Sequence, residues 1–372
     1  MTTGGEAIQR AVDAAPAMRR RGEGRRLGRV LKADAPLIAG AALYVLGAIL
    51  LAQFLDLPLV RVVWHSPVIG AALLCFIPLF LLARLVIGIP SFHEGAMHPG
   101  PGGVLRIYLN REALLRLTIV YLCVVPFGSA FSGLKQSLPE LAVGSWDTYW
   151  VELDRVVHLG WHPWEWLRPL IESAPALRAI DLAYMVWFPL LFGSVFAMAW
   201  SQHVQLRFQF LLSALLTWVL VGTLAPVAFY SVGPCFLVDL GEAPASYHEL
   251  MRLLRTESER MALFATHNQA GLLEAFQRQS WLPFGGISAM PSVHVAFAAL
   301  LMLLARRIHP VAGGVAGVYL ALIQVGAIVF GWHYAVDGYA GALAALGLWI
   351  GCGRLATLWL GSSTRSSGPA SR

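Results

Sequence analysis

The chain has 372 residues, of which 57% are hydrophobic and only 13% charged. A soluble domain carries about 25% charged residues, so a water-soluble enzyme is excluded and a polytopic membrane protein is indicated. The net charge of +6 reads as a topology signal rather than a nucleic-acid footprint, because the basic residues near the start abut an apolar run and have no aromatic residues between them.

Residues 1–36 carry Arg10, Arg19, Arg20, Arg21, Arg25, Arg26, Arg29 and Lys32, diluted by Glu6, Asp13, Glu23 and Asp34. They are expected to form a disordered cytoplasmic tail, as is the short Gly- and Ser-rich segment 361–372. The first apolar segment starts late and is long, so no cleavable signal is expected. Between the tails, apolar periodicity predicts an all-α membrane bundle of about eight transmembrane helices. The predicted spans are Leu37–Phe54, Pro67–Ile89, Leu114–Phe131, Ile180–Trp200, Phe208–Tyr230, Pro291–Ile308, Val311–Phe330 and Tyr339–Leu360. Residues 37–113 would hold two N-terminal helices and a cytoplasmic loop, and 114–360 the catalytic unit.

Eight crossings put both termini in the cytoplasm. The arginines agree: Arg84, Arg106, Arg111 and Arg116 fall in the second cytoplasmic segment, Arg207 in the third, Arg306 and Arg307 in the fourth. The long connections 132–179 and 231–290 are then external, and both hold more acids than bases. The first is rich in tryptophan (Trp146, Trp150, Trp161, Trp164, Trp166), as suits helices lying at a membrane interface. No internal repeat is present. Cys75, Cys123, Cys235 and Cys352 are scattered without metal-binding or disulfide spacing.

Two stretches carry chemistry. In the first, Gly285-Gly286 leads through Pro291 and Ser292 into an apolar helix. Ser292 suits the N-cap, and a helix start offers free N–H groups and a positive dipole end to an anion. His294 then sits in the first helical turn. In the second, His333 and Asp337 are four residues apart and share a helix face. A carboxylate accepting from one imidazole nitrogen fixes the tautomer and frees the other nitrogen as nucleophile or base. The topology, derived from charges alone, puts both stretches on the same external face. A single histidine at a span end is more often an interfacial group than a catalyst, and a His-x-x-x-Asp pair also suits a metal. A metal would want a third ligand, for which His267 is the nearby candidate, without telling spacing. Three ionisable residues converging beside an anion-binding helix start favour a catalytic site. A transporter would instead place such groups near the midplane between repeats.

At these residues the chain resembles the type 2 phosphatidic acid phosphatase superfamily. Pro291-Ser292-Val293-His294 matches its second motif, and Gly331 through His333 and Asp337 to Gly341 matches the end of its third. Its first motif, Lys-x6-Arg-Pro, is absent: the sole Arg-Pro is Arg168-Pro169, preceded by Trp161 where the lysine belongs. Gly326 and Ala327 replace the Ser-Arg that opens the third motif. The branch containing inositolphosphorylceramide synthase and its bacterial relatives also lacks these cations, and the stretch from Phe131 to Pro163, with Trp146-Asp147 and Leu153-Asp154, looks similar to it.

What the resemblance implies is a phosphatase-type core of six helices and a metal-independent, cofactor-free phosphoryl transfer. His333, held by Asp337, attacks phosphorus; His294 protonates the leaving oxygen and later serves as base for the acceptor. The acceptor is an alcohol headgroup, or water in a simple lipid-phosphate phosphatase, and the substrate is a lipid within the bilayer. The expected setting is a bacterial cytoplasmic membrane with the site facing the periplasm. For the phosphate clamp, Lys135, one of two lysines in the chain, stands at the external end of the third span; Ser292, Tyr334 and Tyr230 offer hydrogen bonds. Arg252, Arg255 and Arg260 are further cations, but they alternate with Glu257 and Glu259 as on an exposed amphipathic helix.

Overall fold

The computed structural model describes residues 3–56, 70, 71, 74, 109–239, 243–282 and 285–365. Its eleven longer helices among these residues are α1 (Thr3–Phe54), α2 (Arg111–Gln136), α3 (Asp147–Val157), α4 (Ala174–Met185), α5 (Trp187–Trp200), α6 (Val204–Val219), α7 (Ala245–Arg260), α8 (Phe264–Gln277), α9 (Val293–Ile308), α10 (Pro310–Val329) and α11 (Ala335–Arg365). No strand occurs among the described residues, so the all-α membrane bundle stands.

Six helical segments among the described residues are long and apolar enough to cross a bilayer: Leu27–Phe54, Arg111–Gln136, Ala174–Trp200, Val204–Ala228, Pro310–Val329 and Ala335–Gly361. They coincide with six of the eight expected spans. The expected span 67–89 lies outside the described residues except for 70, 71 and 74. The span expected at Pro291–Ile308 is a helix, α9, but of only 16 residues. At 1.5 Å per residue it covers about 24 Å, shorter than the six other segments, and it runs back to back with α10 as the buried central post of the bundle. Ala296, Phe297, Ala298 and Leu300 are fully buried, and α9 packs against α6, α10 and α11.

The first 36 residues differ from expectation. Helix α1 starts at Thr3 and runs unbroken into the first span; the stretch is rich in Ala and Arg, strong helix formers, which outweigh its glycines. Two arginines of the charge pattern also do more than mark a membrane face. Arg207 of α6 is buried and pairs with Asp34 of α1 at 2.8 Å, and Arg116 of α2 is buried beside them. This ionic contact fastens α1 to α2 and α6.

Local chemistry sets the ends of the helices near the site. Asn110 caps α2, accepting from the Ala113 amide at 2.9 Å. Ser292 caps α9, its hydroxyl accepting from the Val295 amide at 3.4 Å. His309 joins α9 to α10 and caps the latter, with Pro310 at the first helical position where its missing N–H costs nothing.

Candidate active site

The start of α9 and the loop 331–334 that feeds α11 meet at one end of the bundle. The backbone amide of Ser292 donates to the carbonyl of Asp337 at 3.0 Å. A Cβ on Gly341 would strike the carbonyl oxygen of Ser292, so only glycine lets α11 pass this close to the start of α9. The spacing from His333 to Gly341 thus has a packing cause: the glycine one turn beyond Asp337 brings both histidine-bearing segments together.

His294 and His333 face each other with ring centroids 6.4 Å apart. The His294 ring stacks on Tyr184 at 5.0 Å and lies against Trp187 at 4.3 Å, and the Trp187 indole donates to the His294 carbonyl at 3.0 Å. His333 Nδ1 is 3.4 Å from Asp337 Oδ2. This is an ion-pair distance rather than a formed hydrogen bond: Nδ1 is buried without a hydrogen-bond partner, and a small rotation of the ring would close the gap. Asp337 Oδ2 meanwhile accepts from the Tyr334 amide at 3.0 Å, while Oδ1 is buried and unpartnered.

A cavity of about 470 Å³ opens between these groups. Lys135, His294, His333, Ser288 and the first residue of α9, Val293, line it. Gly286, at φ +103°, packs its Cα against the Lys135 backbone, where a Cβ would lie 2.8 Å from the carbonyl oxygen. The Gly-Gly turn therefore lets 285–292 close over the end of α2. The Lys135 ammonium makes no hydrogen bond or ion pair to any described residue, and among the described residues no arginine lines the cavity.

The remaining expected phosphate ligands lie elsewhere. Ser292 is buried with its hydroxyl on the Val295 amide. The Tyr334 hydroxyl donates to Asp147 Oδ1 at 2.9 Å, and Tyr230 is buried; neither ring lines the cavity. Arg252 pairs with Glu249 at 2.8 Å, Arg255 with Asp239 at 2.6 Å and Arg260 with Glu257 at 2.7 Å. None of the three reaches the cavity wall.

Two acids that sequence reasoning gave no role brace the site. Asp147, buried at the start of α3, accepts from the Ser231 hydroxyl at 2.7 Å, the Val232 and Gly233 amides at 2.9 and 3.1 Å, and the Tyr334 hydroxyl. Asp154, two turns on, accepts from the Val336 amide at 3.1 Å. Burial holds the Asp154 carboxyl up at about 6, above the usual carboxylate range. His158 completes this edge, its Nε2 3.1 Å from the Tyr339 hydroxyl. Their signal was the similarity around Trp146-Asp147 and Leu153-Asp154, which carries no spacing rule linking them to residue 333.

Chemically, the arrangement offers an imidazole backed by a carboxylate, a second imidazole across the gap, an ammonium without a partner among the described residues and a helix N-terminus. Among the described residues no three His, Cys, Asp or Glu side chains converge as metal ligands. No curated protein and no solved structure matches the chain. A family model does: that of the PAP2 superfamily, whose members are phosphatases or phosphotransferases, matches residues 149–350. That match takes in the His294 and His333–Asp337 segments and more than half of the 372 residues, and the chain belongs to the PAP2 superfamily.

Proposed function

We propose that the protein transfers the phosphate group of a lipid phosphoester through a phosphohistidine formed on His333, without a metal. The observation that carries this is the facing pair His294 and His333, 6.4 Å apart across a cavity also lined by Lys135. Asp337 keeps the Nδ1 proton of His333 in place, so Nε2 attacks phosphorus. The bond from phosphorus to the leaving oxygen breaks, and that oxygen takes a proton from His294. His294, now neutral, removes a proton from the acceptor hydroxyl, which attacks phosphorus and breaks its bond to Nε2. Lys135 and the amides at the start of α9 offset the charge on the transferring group.

The catalytic unit is 114–360. Its acceptor is an alcohol headgroup rather than water, a reading supported by the similarity of 131–163 to inositolphosphorylceramide synthase relatives and by the bracing that Asp147 and Asp154 of that stretch give the His333 loop. The acidic connections 132–179 and 231–290 support a periplasmic site in a bacterial cytoplasmic membrane.

The test is to incubate purified protein in detergent with a panel of lipid phosphates and phospholipids, with and without polyol acceptors. Released phosphate, new lipid species and acid-labile phosphate on the protein are followed. Phosphate trapped on His333 and a new phosphodiester lipid are expected. Phosphate release alone would replace transfer by hydrolysis, and phosphate trapped on any other residue would refute the assignment of the nucleophile.

A further inference from the structure

The catalytic groups occupy only one end of the cavity. Along α2 its wall runs from Lys135 back to Val120, about 22 Å at 1.5 Å per residue. Past the histidines stands an aromatic collar. Trp187 lies 6.2 Å from Trp218, which meets Phe131 edge-on at 4.7 Å. Gly222, in the π-helical turn Leu220–Leu224 that follows α6, leaves room for the Phe131 ring, which a Cβ would approach to 2.8 Å. Beyond the collar the wall is apolar: Leu37 of α1, Val120 and Cys123 of α2, Leu211, Ala214 and Leu215 of α6. All but Leu37 are buried within the bundle, while Phe192 and Val195 of α5, which line the same cavity, are partly buried.

One turn further on the same three helices come Asp34, Arg116 and Arg207, the buried ionic contact between α1, α2 and α6. It forms the floor. From Lys135 to Arg116 is about 28 Å along α2, close to the ~30 Å thickness of a bilayer's hydrocarbon core. The passage therefore runs deeper than one leaflet.

We propose that this passage is a tail channel that takes a long hydrocarbon chain end-on, with the Asp34–Arg207 floor setting how long a chain fits. It rests on the reading that the phosphate sits between Lys135, His294 and His333. The substrate class is then a phosphate ester whose inserted tail extends over about 17 carbons, at roughly 1.25 Å advance per carbon for tetrahedral C–C bonds of ~1.5 Å. Transfer of a tail from lipid into the channel gains little from the hydrophobic effect, since both surroundings are apolar. Selection comes from fit.

The test uses the full-length protein in detergent with n-alkyl phosphates of 8 and 16 carbons bearing a photoreactive diazirine at the tail end. Labelled peptides are mapped by mass spectrometry, and turnover of the same compounds is measured separately. The 16-carbon probe is expected to label the segments around Val120–Val124 and Leu211–Leu215, and the 8-carbon probe those around Phe131 and Trp187. Ala214→Phe and Cys123→Phe fill the deep end from opposite walls. In whichever of them folds, by melting profile and gel filtration, deep labelling by the 16-carbon probe should fall at least tenfold relative to labelling by the shorter one. The proposal is overturned if the 16-carbon probe labels outward-facing Leu122, Leu220 or Leu224 instead, if neither probe labels the channel, or if a folded filled variant keeps the wild-type depth profile. Deep labelling without turnover of any phosphate ester would uphold the channel and strike at the His294–His333–Asp337 chemistry instead.

Discussion

Asp154 accepts a 3.1 Å hydrogen bond from the backbone amide of Val336, 182 residues further along the chain. Seven residues earlier on the same helix, Asp147 accepts from the hydroxyl of Tyr334. Positions seven apart share a helix face, so one face of α3 holds the His333 loop from two sides. A short helix of the 132–179 connection thereby positions the proposed nucleophile.

This bracing predicts a split between two substitutions. Asp147→Asn replaces one accepting oxygen by an NH2 donor that faces other donors and leaves the buried N–H group of Val232 or Gly233 unpaired, so a loss of about 2–4 kcal/mol in stability is expected, with kcat falling as the loop loosens. Tyr334→Phe removes a single hydrogen bond and should cost about 0.5–1.5 kcal/mol, with turnover within about tenfold of wild type. Denaturation midpoints and kinetics of the two variants check this. A Tyr334→Phe enzyme as inactive as a His333 variant would place the hydroxyl on the phosphate instead of on Asp147.

Asp154 predicts a pH dependence. Its carboxyl titrates near 6, raised first by burial and further by the nearby Asp337, against the Val336 and Ala335 amides and His158, which pull it down. An unfolded Asp titrates at about 3.9. Between these values the folded chain holds the proton that the unfolded chain has lost, so stability declines as pH rises from about 4 to about 6, and the full decline is present above. Asp154→Asn keeps an oxygen for the Val336 amide and removes the titration. The stability difference, wild type minus variant, should therefore shrink or turn negative between pH 4.5 and 7.5; parallel melting curves across that range would refute it.

The catalytic assignments predict that His333→Ala and His294→Ala each abolish turnover in folded protein. Asp337→Asn should be subtler in structure and still severe in rate. Its backbone carbonyl goes on accepting from Ser292, and its side-chain oxygen can still accept from Tyr334. The charge behind His333 is lost, and by analogy with carboxylates that back a catalytic histidine kcat should drop about 10²- to 10⁴-fold. Near wild-type rates in any of the three would reject the scheme.

What could be read from the sequence followed from periodicity and short spacing. His294 follows a capping serine and sits in the first turn of α9 as expected, whereas His333 precedes α11, which starts at Ala335, and approaches Asp337 from the loop and not from a shared helix face. Asp147 and Asp154 act on partners more than 80 residues distant, and nothing local to them announces Ser231 or Val336. The charge pattern carried two meanings at once: Arg116 and Arg207 sit where cytoplasmic cations belong, and both are buried next to Asp34. The apolar run of α9 did not announce that this helix is buried among its neighbours rather than lipid-facing, because hydropathy cannot tell lipid from a protein interior.

Turnover should survive EDTA and need no added divalent ion, since the proposed scheme moves every proton and bond with His294, His333 and their partners. The measurement is initial rate before and after chelation and dialysis. Activity lost on chelation and restored by zinc or magnesium would put a metal at the centre of the reaction.

The last prediction concerns Lys135. Among the described residues its ammonium has no partner on the wall of a cavity that no described arginine lines, while Arg252, Arg255 and Arg260 are engaged with acids away from that wall. If it holds the phosphate, Lys135→Met removes a charge-assisted hydrogen bond worth about 1.5–3 kcal/mol, or roughly ten- to a hundredfold in kcat/KM. Lys135→Arg should recover part of the loss, because the charge remains while the planar guanidinium changes the geometry. A lysine that merely reaches for the membrane interface would behave differently: Met would leave kcat/KM within about twofold and shift only the melting temperature in detergent. Raising the ionic strength separates the two further. A partly enclosed ammonium on a phosphate is screened far less than an exposed one, so the Met and wild-type enzymes should keep their ratio in salt. Near-normal kinetics for Lys135→Met would remove the clamp from the scheme and leave the start of α9 as the phosphate's main partner.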